Sequence, residues 1–196
     1  AAAVRDHLLH PLGLDSTHVN VPSAQMSDYA FGYTRDTDQP VRVNPGVLDA
    51  EAYGMKSSVT DMLHFLQVNL GDVEVSADIA AAVARAGEGQ TKAQHFTQAM
   101  IWQRDDWPVS RDALLAGNSP QVVMDSTPAT RLDQPDTRTT GVMFGKTGST
   151  NGFGGYVAFI PDEDLGVVFL ANRNIPLPAR IEASLAVIDA VLEADE

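Results

Sequence analysis

Cysteine is absent from the 196 residues, which excludes disulfides and thiolate chemistry and leaves the redox compartment unread. No uninterrupted apolar run reaches the roughly 18 residues of a membrane-spanning helix. No basic segment leads into an apolar stretch in the manner of a signal peptide, so export is not legible here. The five histidines, His7, His10, His18, His64 and His95, form no His-Glu-x-x-His. The His7–His10 pair has no third ligand nearby in sequence, so no metal and no cofactor are expected. Positive charge is short as well: 13 basic residues face 26 acidic ones, a formal charge of -13. That balance repels nucleic acid and anionic membrane surfaces, and neither is expected as a partner.

The acidic surplus is spread along the chain. It is rich in Asp (19, against 7 Glu), and arginine exceeds lysine, 10 to 3. The pattern is similar to that of proteins from salt-loving bacteria, whose carboxylates hold water and cations that offset self-repulsion. An ordinary acidic exported enzyme carries the same composition. Asp105-Asp106 and Asp162-Glu163-Asp164 read as solvated charge.

The length suits one domain with a substantial core, or one domain plus part of a neighbour. Val4 to Leu9 reads as the last turns of a helix stopped by Pro11 and Gly13. Residues 15–56 are rich in Pro, Gly, Asn and Asp and lack periodicity. From Ser57 the apolar set Val59, Met62, Leu63, Leu66 and Leu70 repeats at three and four, which predicts a helix opened by Ser57 or Ser58 and closed by Gly71. A second helix is expected over Ala77 to Ala86, and a strand around Met100 to Gln103 leading to a turn at Pro108. Ser119 to Arg138 reads as mixed strand and loop. Strands ending at Lys146, over Gly155 to Ile160 and over Gly166 to Ala171 form an antiparallel meander. Pro178 opens a last helix whose Ile181, Leu185, Ile188 and Leu192 share a face that should cover the sheet.

The most informative run is Gly145-Lys146-Thr147-Gly148-Ser149-Thr150-Asn151-Gly152-Phe153-Gly154-Gly155-Tyr156. It sets a cation, a hydroxyl and a thin glycine-lined backbone side by side, which equips it to hold an anion. Asn151-Gly152 between two apolar stretches is a strong hairpin signal. An ammonium about 4 Å from a developing anion contributes about 4 kcal/mol at an effective dielectric near 20. The bland alternative is a lysine whose charge merely reaches water at a strand end.

A Lys-Thr-Gly near a strand end resembles the third active-site element of the penicillin-recognising serine hydrolases, where it accompanies a Ser-x-x-Lys nucleophile motif and a second polar triplet. Three further segments carry the resemblance: NVPSAQMSDYAFGY at residues 20–33, VNPGVLDAEAYGMKSS at 43–58 and GYVAFIPDEDLGVVFLANRNIPLPAR at 155–180. Together they resemble the C-terminal half of a class C β-lactamase. The likeness covers nearly the whole chain and is weakest over Val73 to Asp136.

The resemblance implies an α/β fold, more closely α+β: an antiparallel sheet flanked by helices, present here as its C-terminal portion. Residues 1–56 would be the tail of a helical domain with the loop bordering the active site, and residues 57–196 the C-terminal part of the α/β domain. It implies that Lys146 adds positive field, that the backbone N–H of Ser149 supplies half of an oxyanion hole, and that Thr147 and Gly148 receive the substrate. Tyr53 matches the family's tyrosine lining the pocket for the substrate side chain. Asn174 and Arg180 fall where the family places substrate-carboxylate ligands. Leu177 replaces the family asparagine three residues before the arginine, which leaves that carboxylate to Thr147, Asn174 and Arg180.

No serine in the chain has a lysine three residues on, and neither Tyr29-Ala30-Phe31 nor Tyr53-Gly54-Met55 ends in asparagine. The resemblance therefore implies that the nucleophile and its partners come from an N-terminal half of the same enzyme. The expected substrate is a small β-lactam and the expected location the periplasm. Two other readings stay open: a D,D-peptidase or esterase of the same fold, and a truncated product that binds a ligand or partner without chemistry. If the acidity is an adaptation to salt, the unfolding temperature should climb as NaCl rises from 0.01 M to molar concentration, because the Debye length shrinks from about 30 Å to about 3 Å. A flat or falling melting curve against NaCl would dismiss the adaptation.

Overall fold

The computed structural model describes residues 2–43, 47–48 and 52–194. A short helix, α1 (Ala2–Val4), runs on as a wider π-type turn over Arg5–Leu9. A two-stranded ribbon follows, β1 (Gly32–Tyr33) paired with β2 (Pro40–Val41). Then come α2 (Val59–Leu70), α3 (Ala77–Gly87), β3 (Gly89–Ala93), β4 (Thr97–Gln98), β5 (Gln103–Asp106), α4 (Arg111–Gly117) and α5 (Pro120–Met124). The chain closes with β6 (Ala129–Asp136), β7 (Val142–Thr150), β8 (Phe153–Ile160), β9 (Leu165–Ala171) and α6 (Leu177–Ala194). Seven strands form one sheet in the order β6-β3-β4-β5-β7-β8-β9, with every neighbouring pair antiparallel.

The elements with strong local signals form as their residues dictate. Ser58 caps α2 by accepting from the Asp61 N–H at 3.1 Å, and Gly71 ends it in the left-handed region. This is the cap pair expected of a helix with Ser before it and Gly after it. The meander β7–β8–β9 is present, and α6 lies across one face with Ile181, Leu185 and Ile188 buried against Met143, Tyr156, Ala158 and Ile160. On the other face α2 packs Leu66 against Phe144, Val157, Phe159 and Trp102. β8 is covered on both faces, and so its sequence is apolar without alternation. No helix among the described residues is long and apolar enough to cross a membrane.

Two expectations of secondary structure need correction. The strand predicted over Met100 to Gln103 begins at Gln103; Met100 and Ile101 sit exposed at the turn from β4, while Trp102 points into the core. The stretch from Ser119 also contains a helix, α5, which Ser119 and Pro120 open as a cap residue and a first-turn proline do. Charge hid β5, because it reads Gln-Arg-Asp-Asp yet buries its two middle residues. Arg104 is enclosed, donating to the backbone carbonyls of Asp136 and Arg138, with its guanidinium over the Phe144 ring.

Asp105, read from the sequence as solvated, is only 5 % exposed. Burial raises its carboxyl from 3.8 to about 6, against a partial counter-effect from the Gln103 side-chain amide at 3.2 Å. Asp106 pushes in the same direction as burial, and Lys92 opposes it. A folded-state value above the unfolded one means that stability is fullest below the unfolded value and is lost as pH climbs through about 6. The rise corresponds to about 3 kcal/mol at about 1.4 kcal/mol per pH decade. Asp105→Asn should therefore be more stable than the parent at pH 8 by up to about 3 kcal/mol, with the gap closing toward pH 4. Urea unfolding across that range reads this directly, and a gap independent of pH would contradict it.

Candidate active site

The site begins where a strand loses a neighbour. β5 pairs with β7 from Asp106↔Val142 to Gln103↔Gly145, and there the pairing stops. β7 continues to Thr150, held on its other side by β8 from Phe144↔Phe159 to Thr150↔Phe153. The β7 edge from Lys146 onward thus has no ladder partner among the described residues, and an open strand edge offers its N–H and C=O groups to an extended ligand. Beside it lies a cleft of about 300 Å³ lined by Gln98, Met100, Ile101, Gln103, Gly145, Lys146 and Thr147.

Lys146 is exposed on this edge, its ammonium donating to the Thr147 carbonyl at 2.6 Å. Partial desolvation over the strand lowers its pKa. Thr147 is half-buried beside it, and Gly148 meets no atom within 4 Å of where a Cβ would stand. That leaves room for a ligand to lie against the backbone. Ser149 is exposed, and its hydroxyl accepts from Arg180 at 2.9 Å. Lys146, Thr147, Gly148 and Ser149 are therefore brought together on one open edge.

Asn174 has a different setting from a free substrate ligand. Its amide donates to the carbonyls of Thr150 and Phe153 at 2.8 Å each, and its oxygen accepts from the Gly152 N–H at 2.9 Å. The side chain thus closes the Asn151-Gly152 turn. Gly152 has φ +85°, and a Cβ there would stand 2.5 Å from Val41 Cγ1, so the turn is also pressed against the β1–β2 ribbon. Arg180 lies beneath the strand, 3 % exposed. Tyr53 is exposed, and its hydroxyl donates to the Val47 carbonyl at 3.5 Å. Leu177, in the place of the expected asparagine, packs on the apolar cluster under α6.

Sequence reasoning missed Gln98, Met100, Ile101 and Gln103 as cleft walls. Their neighbourhood with Lys146 depends on the register of β5 on β7, and only the exposed apolar pair Met100-Ile101 hinted at it. It also missed Gly154, the seat of the Arg180 guanidinium, although the Gly154-Gly155 pair was in view.

A beta-lactamase family model matches residues 1–192. A beta-lactamase of Pseudomonas fluorescens is 41% identical over 184 residues, 94% of this chain and 51% of that protein. Among solved structures, a class C β-lactamase from Rhodobacter sphaeroides superposes with a TM-score of 0.92 at 48% identity, over 98% of this chain and 54% of that one. A D-alanine carboxypeptidase from Burkholderia cenocepacia superposes with a TM-score of 0.94 at 37% identity, over 97% and 54%. The chain spans about half the length of the relatives it matches.

The turn clamp yields a mutational expectation. Asn174→Ala leaves the Gly152 N–H and two carbonyls without their partner and should lower stability by about 1–3 kcal/mol. Asn174→Asp keeps the acceptor but turns a carboxylate toward two carbonyls, so it should be no milder. Chemical denaturation of both variants checks this, and an Asn174→Ala protein of parental stability would refute the clamp.

Proposed function

This chain belongs to the beta-lactamase family, and on that premise we propose that it supplies the anion-holding wall of a class C serine β-lactamase active site. The observation that carries the reading is the open β7 edge with Lys146, Thr147 and Gly148 on it, beside a cleft. The nucleophilic serine, with the lysine and tyrosine that manage its proton, is contributed by an N-terminal half outside these 196 residues. Its oxygen attacks the lactam carbonyl, the developing oxyanion receives the Ser149 N–H, and the ring C–N bond breaks as the nitrogen takes a proton. Water then attacks the ester carbonyl and releases the serine. Lys146 acts while protonated, adding positive field at the nucleophile and the substrate carboxylate, and Thr147 adds a hydroxyl to that carboxylate. Tyr53 borders the space for the substrate side chain. Such an enzyme works in the periplasm, where β-lactams meet their targets.

A second reading has one observation in its favour, the close superposition on a D-alanine carboxypeptidase. The same wall serves acyl transfer from a peptide, because fold and Lys-Thr-Gly edge are common to both chemistries. Turnover of a chromogenic cephalosporin compared with that of a D-alanyl-D-alanine peptide separates the two.

Residues 1–196 alone should neither acylate nor hydrolyse a β-lactam, and joining them to a half that carries Ser-x-x-Lys should restore cephalosporin turnover. In that complete protein Lys146→Ala should cost about 4 kcal/mol, about 10³-fold in kcat/KM. Ser149→Ala should stay within about tenfold, because the oxyanion donor is main chain. Covalent labelling of a serine within this chain by a penicillin, or full activity of Lys146→Ala, would show the site to be assigned wrongly.

A further inference from the structure

Arg180 lies in the first turn of α6, and its guanidinium donates to groups of the site wall and of the turn before α6. Nε donates to the Ile175 carbonyl at 2.9 Å. Nη1 bridges the Gly148 and Gly155 carbonyls at 2.7 and 3.0 Å, one on β7 and one on β8. Nη2 donates to Ser149 Oγ at 2.9 Å. The planar group rests on Gly154, where a Cβ would come within 3.0 Å of Arg180 Cζ. A guanidinium has five N–H donors in a fixed fork. Four of them are engaged by the protein, so the paired donors that would grip a carboxylate in the bidentate manner are no longer free.

We infer that Arg180 is a positioning residue, which holds Gly148 and Ser149 at the angle that aims the Ser149 N–H along the open β7 edge, and not a ligand of the substrate carboxylate. The inference rests on the β-lactam reading of that edge. Its physical basis is local. Beyond Gly145 the strand β7 is paired on one side only, and three residues of that pairing, Gly148 on β7 and Gly154 and Gly155 on β8, have no side chain to resist twisting. The guanidinium takes the place of that missing packing, tying β7, β8 and the turn before α6 to one rigid plane. Gly154 is glycine because the plane needs its space.

The test uses the complete enzyme, a chromogenic cephalosporin and the methyl ester of the same cephalosporin, which lacks the carboxylate. Arg180→Met should lower kcat about 10- to 100-fold on both substrates, the scale of an ångström-sized misplacement of a catalytic group, with each KM changed less than about threefold. Arg180→Lys should not rescue it, because one ammonium cannot span four acceptors. Ser149→Ala combined with Arg180→Met should be no worse than Arg180→Met alone. A loss confined to KM for the free acid and absent for the ester would overturn the inference in favour of a carboxylate ligand, as would unchanged kinetics. If the parent turns over neither substrate, the β-lactam reading fails by itself. Amide hydrogen exchange then decides the positioning role: faster exchange at Gly148 and Gly155, which face each other across β7 and β8, in Arg180→Met supports it, and unchanged protection overturns it.

Discussion

The β7–β8 pairing is the constraint from which the rest of this structure follows. Its register sets Phe144 opposite Phe159 for the α2 side and Thr147 opposite Tyr156 for the α6 side. A slip of one residue would exchange the faces of the whole strand. Both cores would then lose their contents, and Lys146 would turn from the edge face into the apolar layer under α6. The turn that ends the pairing is fixed three times over: Gly152 adopts its positive φ, Asn174 bridges the two strand ends, and the ribbon presses on the tip. The edge proposed as a catalytic wall is thereby built on a hairpin held at its ladder, its turn and its tip.

The same pairing explains which parts of the fold were legible. β7, β8, β9 and α6 announce themselves because their residues have one dominant environment, apolar on faces that meet a helix. α2 does so because Ser58 and Gly71 mark its ends. β3, β5 and β6 are another matter. Their residues are polar, and the sheet accepts them by satisfying charge rather than excluding it, with Arg104 enclosed by two carbonyls and an aromatic ring. Hydrophobic periodicity is silent on such strands, since it registers transfer from water and not hydrogen bonding between distant residues. Asp105 misled for the same reason: a carboxylate beside another carboxylate looks solvated until the fold places a core over it.

Legibility of the site divides along a similar line. Lys146, Thr147, Gly148 and Ser149 are contiguous, so a strand alone suffices to bring them together, and the sequence could name them as a group. Asn174 and Arg180 are expected from the sequence to be substrate ligands, but a sequence cannot say whether a donor is free. Here the amide of Asn174 is engaged by the turn, and four guanidinium N–H groups of Arg180 are engaged by carbonyls and a hydroxyl. Hydrogen-bond capacity is a property of the folded neighbourhood, and it separates residues that touch a ligand from residues that hold the ligand's partners in place.

That separation matters more in a chain of net charge -13 than it would in a neutral one. The long-range field of such a surface opposes an anionic substrate, so recognition depends on cations near enough to act within a Debye length. With Arg180 buried and engaged, Lys146 is the exposed cation among the described residues of the β7 edge, and in the proposed site it meets the substrate. Its ammonium is exposed on the edge yet partly desolvated by the strand, which lowers its proton affinity. The arrangement concentrates attraction at one atom while the surrounding carboxylates keep the rest of the surface unattractive to anions. Selectivity for a compact anion at the strand edge over an extended polyanion follows from that contrast, and it requires the edge to be held still by a residue that is not itself the ligand.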